Sequence, residues 1–271
     1  MKDITDKEFK QLAAYMKDNY GINLFEKKTL LVGRLNNILI KNQIKDFTEY
    51  YSLLISDTTG TMVTELINKL STNHTFFLRE ESHFHFFRDH VLPYLSSIKS
   101  RNKDFRIWSA GCSTGEEPYT LAMILSDFFG PQKNQWDTKI LATDISKKVL
   151  DIATKGIYSR EQLSPVSDSW KKRYFKKLAD ESYAVADSIK DEVIFRIFNL
   201  MNRNMPFKKK FDVIFCRNVM IYFDAETKNE LVNRFYEQTE PGGYLFIGHS
   251  ESINREETKY RYIMPAVYRK E

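Results

Sequence analysis

Cysteine is almost missing from this chain: 271 residues contain two, Cys112 and Cys216, which form no CxxC pair and no metal-ligand spacing. That excludes a disulfide-stapled scaffold and a zinc ribbon. Each follows a short apolar run, where a reduced thiol serves as a small packing group. Glycine (10) and proline (7) are also scarce, which excludes collagen-like and low-complexity architectures. No apolar run approaches the roughly 18–20 residues of a spanning helix, and Met1 to Lys10 has no core of signal-peptide length, so a cytoplasmic chain without membrane insertion is expected. Of five histidines, His74, His83, His85 and His90 crowd one neighbourhood. No two of them have the i, i+4 spacing of a helical metal site, so no metal is expected. What remains is 42% hydrophobic and 14% aromatic, enough to bury a large core in one or two domains. The net charge of +5 would suit an acidic protein surface or nucleic acid and does not decide between them.

From Phe9 to about Ser71 the apolar spacing is helical: Phe9, Leu12, Ala13, Met16 and Tyr20, then Leu31, Leu35, Ile38 and Leu39. Two shorter helices follow, Phe47 to Ile55 and Met62 to Leu70, separated by the polar turn Ser56 to Gly60. Residues 1–72 are therefore expected to form a helical N-terminal domain. Residues 73–100 read as a linker with a docked aromatic helix carrying Phe84, Phe87, Val91, Leu92 and Leu95. From 101 to 271 buried strands alternate with helices, which predicts an α/β domain with a parallel, Rossmann-like sheet. The expected strands are Phe105–Ala110, Lys139–Thr143, Val193–Phe198, Phe211–Cys216, Gly243–Gly248 and one near Ile263–Arg269. The expected helices are Glu116–Phe129, Lys147–Thr154 and Ala225–Glu237. Within about 164–191, Arg173–Leu178 and Tyr183–Ala186 alternate weakly and predict a small β insertion.

The segment RIWSAGCSTGEEPY, Arg106 to Tyr119, reads as strand, tight turn and helix N-terminus, the element that lets backbone approach a nucleotide-like ligand. A phosphate-binding loop would carry Lys and Ser or Thr after its glycines, whereas Glu116 and Glu117 stand here. Carboxylates repel phosphate but accept bonds from ammonium groups or hydroxyls. A ligand with an amine, a ribose and a purine but no phosphate is indicated, and S-adenosylmethionine fits; the same acids also suit a first helical turn through the helix dipole. Asp144 follows the second strand, about where dinucleotide folds place an acid for ribose hydroxyls. Asn199 and Leu200 follow the third, and Arg217 to Asp224 the fourth. The Asn199 amide offers the donor and acceptor that an adenine edge requires.

These strings closely resemble the chemotaxis receptor methyltransferases, the CheR family, which methylate receptor glutamates with S-adenosylmethionine. The resemblance runs through Asn73-His74-Thr75 with Arg79-Glu80, SAGCSTGEEPY, Ala142-Thr143-Asp144-Ile145, Gly156-Ile157-Tyr158, FDVIFCRNVMIYFD and GGYLFIGHSES. It implies that Asn73, Thr75, Arg79, Glu117, Asp144, Asn199, Leu200, Arg217 and Asn218 line the cofactor site, with Arg79 and Tyr222 nearest the transferred methyl. It also implies S-adenosylhomocysteine as product and the cytoplasmic helical bundle of chemotaxis receptors as partner, in the service of adaptation. One departure is visible: the family's two aromatics directly before the arginine are displaced here, so Phe76-Phe77 is followed by Leu78.

A glutamate side chain, with an unperturbed pKa of about 4.3, is already ionised at neutral pH and needs no general base. Alignment of oxygen, methyl and sulfur with exclusion of water is then the main catalytic task. In the helical domain Lys27, Arg34 and Lys41 recur every seven residues and form a basic stripe with a drift of only ~20° per heptad. The stripe suits the acidic methylation sites of a receptor helix, and a solvated face is the plain alternative. Some family members tether a receptor's C-terminal peptide through the β insertion. The acidic, glycine-free connection Ala179-Asp180-Glu181-Ser182 gives no reason to infer that here. Two competing readings are a nucleic-acid methyltransferase and a non-catalytic S-adenosylmethionine-binding module. Against the first, Arg217-Asn218-Val219-Met220 stands where base-amino methylation calls for an Asn/Asp-Pro-Pro-aromatic loop. No nucleic-acid partner is expected, and the chain is expected to act as a monomer.

Overall fold

A computed structural model describes residues 3–70 and 74–271. The chain divides into two compact units: a helical unit comprising 1–73 with 199–201 and 222–228, and a second unit comprising 74–198, 202–221 and 229–271.

The helical unit contains α1 (Asp6–Tyr20), α2 (Lys28–Lys41), α3 (Phe47–Ser56) and α4 (Thr61–Leu70). A capping box starts α1: Glu8 N–H donates to Thr5 Oγ1 (3.3 Å) and Thr5 N–H to the Glu8 carboxylate (2.8 Å). Gly21, left-handed at φ 72°, stops it. A side chain at Gly21 would also press on Met201 Sδ at 2.7 Å, so the turn needs glycine twice over. The buried stripes are those expected, with Leu12, Met16, Leu31, Leu35, Leu66 and Ile67 buried. Lys27 lies just outside α2, as its N-cap, and Arg34 and Lys41 lie on it; all three side chains are exposed.

The second unit opens with α5 (Glu81–Phe86), a π-helical turn (Phe87–Val91) and α6 (Leu92–Ile98), which buries Phe84, Phe87, Val91, Leu92 and Leu95 in the unit's core. Pro93 sits within α6 and does not end it, because the π turn has just reset the hydrogen-bond ladder that its missing N–H would break.

Next come β1 (Ile107–Ala110), α7 (Glu116–Phe129), β2 (Ile140–Asp144), α8 (Lys147–Lys155), β3 (Ile157–Tyr158), α9 (Asp168–Tyr174), β4 (Phe175–Lys177), β5 (Tyr183–Val185), α10 (Asp187–Lys190) and β6 (Val193–Ile197). β7 (Phe211–Cys216), a 3-10 turn (Met220–Tyr222), α11 (Ala225–Gln238), β8 (Thr239–Ile247), β9 (Arg261–Met264) and β10 (Val267–Arg269) complete the order. The main sheet runs β6-β2-β1-β7-β8-β10-β9. Its first five strands are parallel, and β10 and β9 are antiparallel. β1 and β7 are buried at every position, as expected for central parallel strands covered on both faces. Phe84, Phe215 and Phe246 stack across the sheet, the last two with centroids 4.4 Å apart. The strand order reverses between β1 and β7, so the carboxyl ends of β2, β1 and β7 form the crevice where such sheets bind ligands.

Three expectations need correction. The last strand is a hairpin, because Pro265 cannot donate to a ladder and Ala266 turns left-handed (φ 63°) between β9 and β10. The β insertion is a three-stranded antiparallel sheet, β3-β5-β4, whose edge strand Ile157–Tyr158 precedes the expected span. Arg173 and Tyr174 are helical and not extended, since Ser167 caps α9 by accepting the Trp170 N–H at 3.3 Å. In the β4–β5 connection Glu181 takes the left-handed position (φ 64°) that a glycine would fill.

Candidate cofactor site at the strand carboxyl ends

The turn after β1 is built from left-handed residues: Gly111 (φ 87°), Ser113 (φ 48°) and Gly115 (φ 97°). A Cβ at Gly111 would stand 2.3 Å from Val219 Cγ2, and one at Gly115 would meet Ala153 Cβ at 2.9 Å. Both positions therefore exclude a side chain on steric as well as backbone grounds. The turn delivers Glu116 and Glu117 to the first turn of α7. Glu116 is buried and accepts the Thr114 hydroxyl at 2.7 Å; burial pushes its carboxyl pKa up. Glu117 accepts the Ser109 hydroxyl at 2.7 Å and Arg217 Nη1 at 2.9 Å.

Asp144, at the end of β2, accepts the Ser113 N–H on one oxygen and the Ser146 N–H on the other, both at 2.9 Å. Burial nevertheless raises its pKa, outweighing those bonds. Each oxygen keeps acceptor capacity, which matches the two hydroxyls of a ribose.

Arg217, directly after β7, has a side chain only 2% exposed. It bridges Glu117 to Glu80 Oε2 (3.0 Å), donates to the Arg79 carbonyl, and lies 5.1 Å over the Phe84 ring. Burial would raise the pKa of Glu80, yet Arg217, the Asn218 amide and the His249 N–H together hold it below the usual value. Asn218 (φ 59°) donates Nδ2–H to Glu80 Oε1 at 3.1 Å. Its own N–H goes to Glu251, which also accepts from Gly248 and Ile221. Glu251 thereby ties the Arg217-Asn218 turn to the turn after β8. His83, buried beside this knot, has its pKa pulled down to about 3 by burial and by the charges of Arg217 and His249, against weaker opposing effects of Glu80 and the Pro265 carbonyl.

Arg79 is presented by a strained turn, with non-glycine Leu78 (φ 61°) and Glu80 (φ 57°) left-handed on either side of it. Such residues cost on the order of 1–2 kcal/mol each and persist where the surroundings over-determine them. Arg79 Nη1 donates to the His74 carbonyl at 2.6 Å, so one arm of the guanidinium is tied back to the segment that also carries Thr75. Thr75 is part-buried, and Asn73 lies outside the described residues.

The second unit thus brings Arg79, Glu117, Asp144, Arg217 and Asn218 to the sheet's carboxyl edge, with Thr75 in the segment leading to Arg79. Asn199, Leu200 and Tyr222 belong to the helical unit. There the Asn199 amide donates to the Asn19 carbonyl (2.8 Å) and accepts the Met201 N–H (2.9 Å), while Leu200 is buried. The Tyr222 carbonyl accepts the Asn23 N–H at 2.9 Å, and Lys27 Nζ stands 5.9 Å from its ring. Sequence reasoning missed Glu80 and Glu251. Each lies inside a string that the resemblance uses, but nothing in spacing pairs Glu80 with Arg217 or Glu251 with Asn218.

Buried groups left without partners fall at this edge as well: Ser113 Oγ, Glu116 Oε1 and Arg217 Nε. Acids and polar donors, with the buried guanidinium of Arg217 already neutralised, suit a cationic, hydroxyl-bearing ligand and not a phosphate. A glycine turn feeding a helix on such a parallel sheet is Rossmann-like, and the acids at its mouth fit the S-adenosylmethionine-dependent methyltransferases among such folds. Comparison with known proteins agrees: the family description "CheR methyltransferase, SAM binding domain" matches residues 73–268, and "CheR methyltransferase, all-alpha domain" matches residues 7–71. The chain belongs to the CheR family of chemotaxis methyltransferases. It is 46% identical to a chemotaxis protein methyltransferase of Borreliella burgdorferi, over 99% of this chain and 95% of that protein. It is 39% identical to a probable chemotaxis protein methyltransferase of Rhizobium etli (92% and 97%) and 35% to the chemotaxis protein methyltransferase of Escherichia coli (98% and 91%). Among the described residues no helix is long and apolar enough to cross a membrane.

Proposed function

We propose that this protein transfers the methyl group of S-adenosylmethionine to glutamate side chains of methyl-accepting chemotaxis receptors, giving glutamate methyl esters and S-adenosylhomocysteine in bacterial adaptation. The observation that carries this is the acidic carboxyl edge, in which Glu116 and Glu117 stand where a phosphate-binding loop carries Lys and Ser or Thr, Asp144 ends β2, and the Arg217 guanidinium is paired with Glu80 and Glu117. Asp144 binds the ribose diol, and Glu117, held by Ser109 and Arg217, orients the ligand's amine. Asn218, held by Glu80 and Glu251, keeps the turn after β7 in place. Thr75, Asn73, Asn199 and Leu200 are further proposed cofactor contacts, Asn199 on the adenine side.

The cofactor supplies a methyl carbon activated by its sulfonium. A glutamate carboxylate oxygen bonds to that carbon as the carbon–sulfur bond breaks, and the electron pair goes to sulfur, leaving a neutral ester and a neutral thioether. No proton moves, so the site needs no acid or base. Arg79 holds the incoming carboxylate or the cofactor's orientation, and Tyr222 forms a hydrogen-bonding wall. Charge is annihilated in this step, so gripping either ion too tightly would slow it, and the gain comes from alignment and water exclusion. The helical domain recognises the receptor's acidic helical bundle through Lys27, Arg34 and Lys41, in the cytoplasm. Methyl transfer to purified receptor cytoplasmic fragments tests the reading. Incorporation into receptor but not into oligonucleotides supports it, whereas transfer to nucleic acid alone, or none at all from a cofactor-binding chain, overturns it.

A further inference from the structure

We propose that Glu80, His83 and His249 form a binding site for a zinc-type divalent ion, and that filling it opposes cofactor binding through Arg217. The histidines that neighbour one another in sequence provide no such set. The fold supplies the second imidazole from the turn after β8, far along the chain, to face the first turn of α5. One ligand atom from each of the three residues lies within 4.8 Å of the others.

His83 Nδ1 is 3.4 Å from Glu80 Oε2. That is about the edge of a tetrahedron whose metal bonds are roughly 2.0–2.1 Å. The His83 side chain has no solvent exposure, and its ring meets only weak polar contacts, Glu80 Oε2 at 3.4 Å from Nδ1 and the Pro265 carbonyl; a metal bond would give the nitrogen facing Glu80 a strong partner. The His83 and His249 rings meet edge to face with centroids 4.4 Å apart. His249 is exposed, which gives an ion access from solvent and leaves a fourth position for water. Ser82 Oγ, 3.4 Å from His249 Nε2, is placed to orient that ring. Two imidazoles and one carboxylate suit zinc and related transition metals, whereas calcium and magnesium call for more oxygen ligands.

The antagonism follows from the shared carboxylate. Glu80 Oε2 already accepts from Arg217 Nη2 at 3.0 Å, and a dication there repels the guanidinium that also holds Glu117. This consequence rests on the cofactor reading given above; the metal site itself does not.

The test uses the full chain, with Co2+ absorption as a spectroscopic probe and Zn2+ affinity from competition with a chromophoric chelator. One equivalent should bind with ligand-field bands of a four-coordinate site. Affinity should fall at least tenfold in His249→Ala, whose side chain is exposed and whose folding is checked by melting, and should return in His249→Cys. Equal zinc affinity in wild type and His249→Ala overturns the site. S-adenosylmethionine binding measured by calorimetry should weaken severalfold with zinc, recover on chelation, and become insensitive to zinc in His249→Ala. Cofactor affinity unmoved at saturating metal overturns the antagonism. A chain that binds zinc as described but never methylates receptor sinks the proposed function and leaves the metal site standing.

Discussion

Replacing Asp144 asks most of the cofactor assignment. Each of its oxygens already accepts one backbone N–H, from Ser113 or Ser146, and retains room for one hydroxyl more. Charge-assisted bonds to a ribose diol lost in Asp144→Ala should cost on the order of 1.5–3 kcal/mol, a Kd increase of about tenfold to about 150-fold. The ribose is common to cofactor and product, so S-adenosylmethionine and S-adenosylhomocysteine should weaken alike in calorimetry. Alanine also frees both backbone N–H groups, whereas Asp144→Asn removes the charge but keeps an acceptor for one of them, so the two variants together grade loop support against ligand contact. Burial raises the Asp144 pKa, so wild-type affinity should fall on acidification from a pH above that at which an ordinary aspartate titrates, while the Asn variant stays flat. Unchanged affinity for both ligands in a folded variant removes Asp144 from the site. A loss confined to S-adenosylmethionine would mean that it faces the sulfonium and not the ribose.

Tyr222→Phe should lower the single-turnover rate while leaving cofactor affinity within about twofold; a wild-type rate reduces Tyr222 to packing. Changing Lys27, Arg34 and Lys41 together to Glu should abolish receptor methylation and most of its salt sensitivity at unchanged cofactor affinity. Because Lys27 stands over the Tyr222 ring, the Arg34/Lys41 pair should be reversed separately, and full activity of that pair at low salt makes the stripe a solvated face. In the helical unit Asp224 pairs with Lys17 at 2.7 Å and accepts the Thr227 N–H, bonds that outweigh its burial and lower its pKa to about 2. A folded pKa below the ordinary 3.8 gives stability that is present above that value and lost as pH falls through about 2. Asp224→Asn should therefore cost on the order of 1–2 kcal/mol in urea unfolding at pH 7 and much less once the pH has fallen to that of the folded carboxyl's own titration; a gap independent of pH refutes the ion pair.

The elements whose boundaries were legible in the sequence are those in which periodicity and packing agree. α7 begins at Glu116 and ends at Phe129 as its spacing predicts, and β7 runs from Phe211 to Cys216, because an apolar run buried on both faces has one stable reading. At the hairpin, Pro265 was a readable break within the run, but the left-handed turn at Ala266 that folds the second arm back has no local signature. Nor has β3, two residues long, which is a strand only because β5 pairs with it. At the site, the glycine turn, Glu117 and Asp144 follow strand ends and are readable from local pattern. The partners of Arg217 are not: Glu80 and Glu117 reach it from separate segments, and their pairing exists only once the sheet is assembled. His83 looks like one member of a histidine-rich stretch until His249 arrives from the turn after β8.

The central claim is the chemical nature of the bond made. Purified protein, isotopically labelled S-adenosylmethionine and a receptor cytoplasmic fragment should yield label on glutamate side chains, seen as a one-methyl mass increment in the corresponding peptides and released as methanol by mild alkali. Alkali-stable label, or label on lysine, arginine or nucleic acid in place of glutamate, would contradict the account.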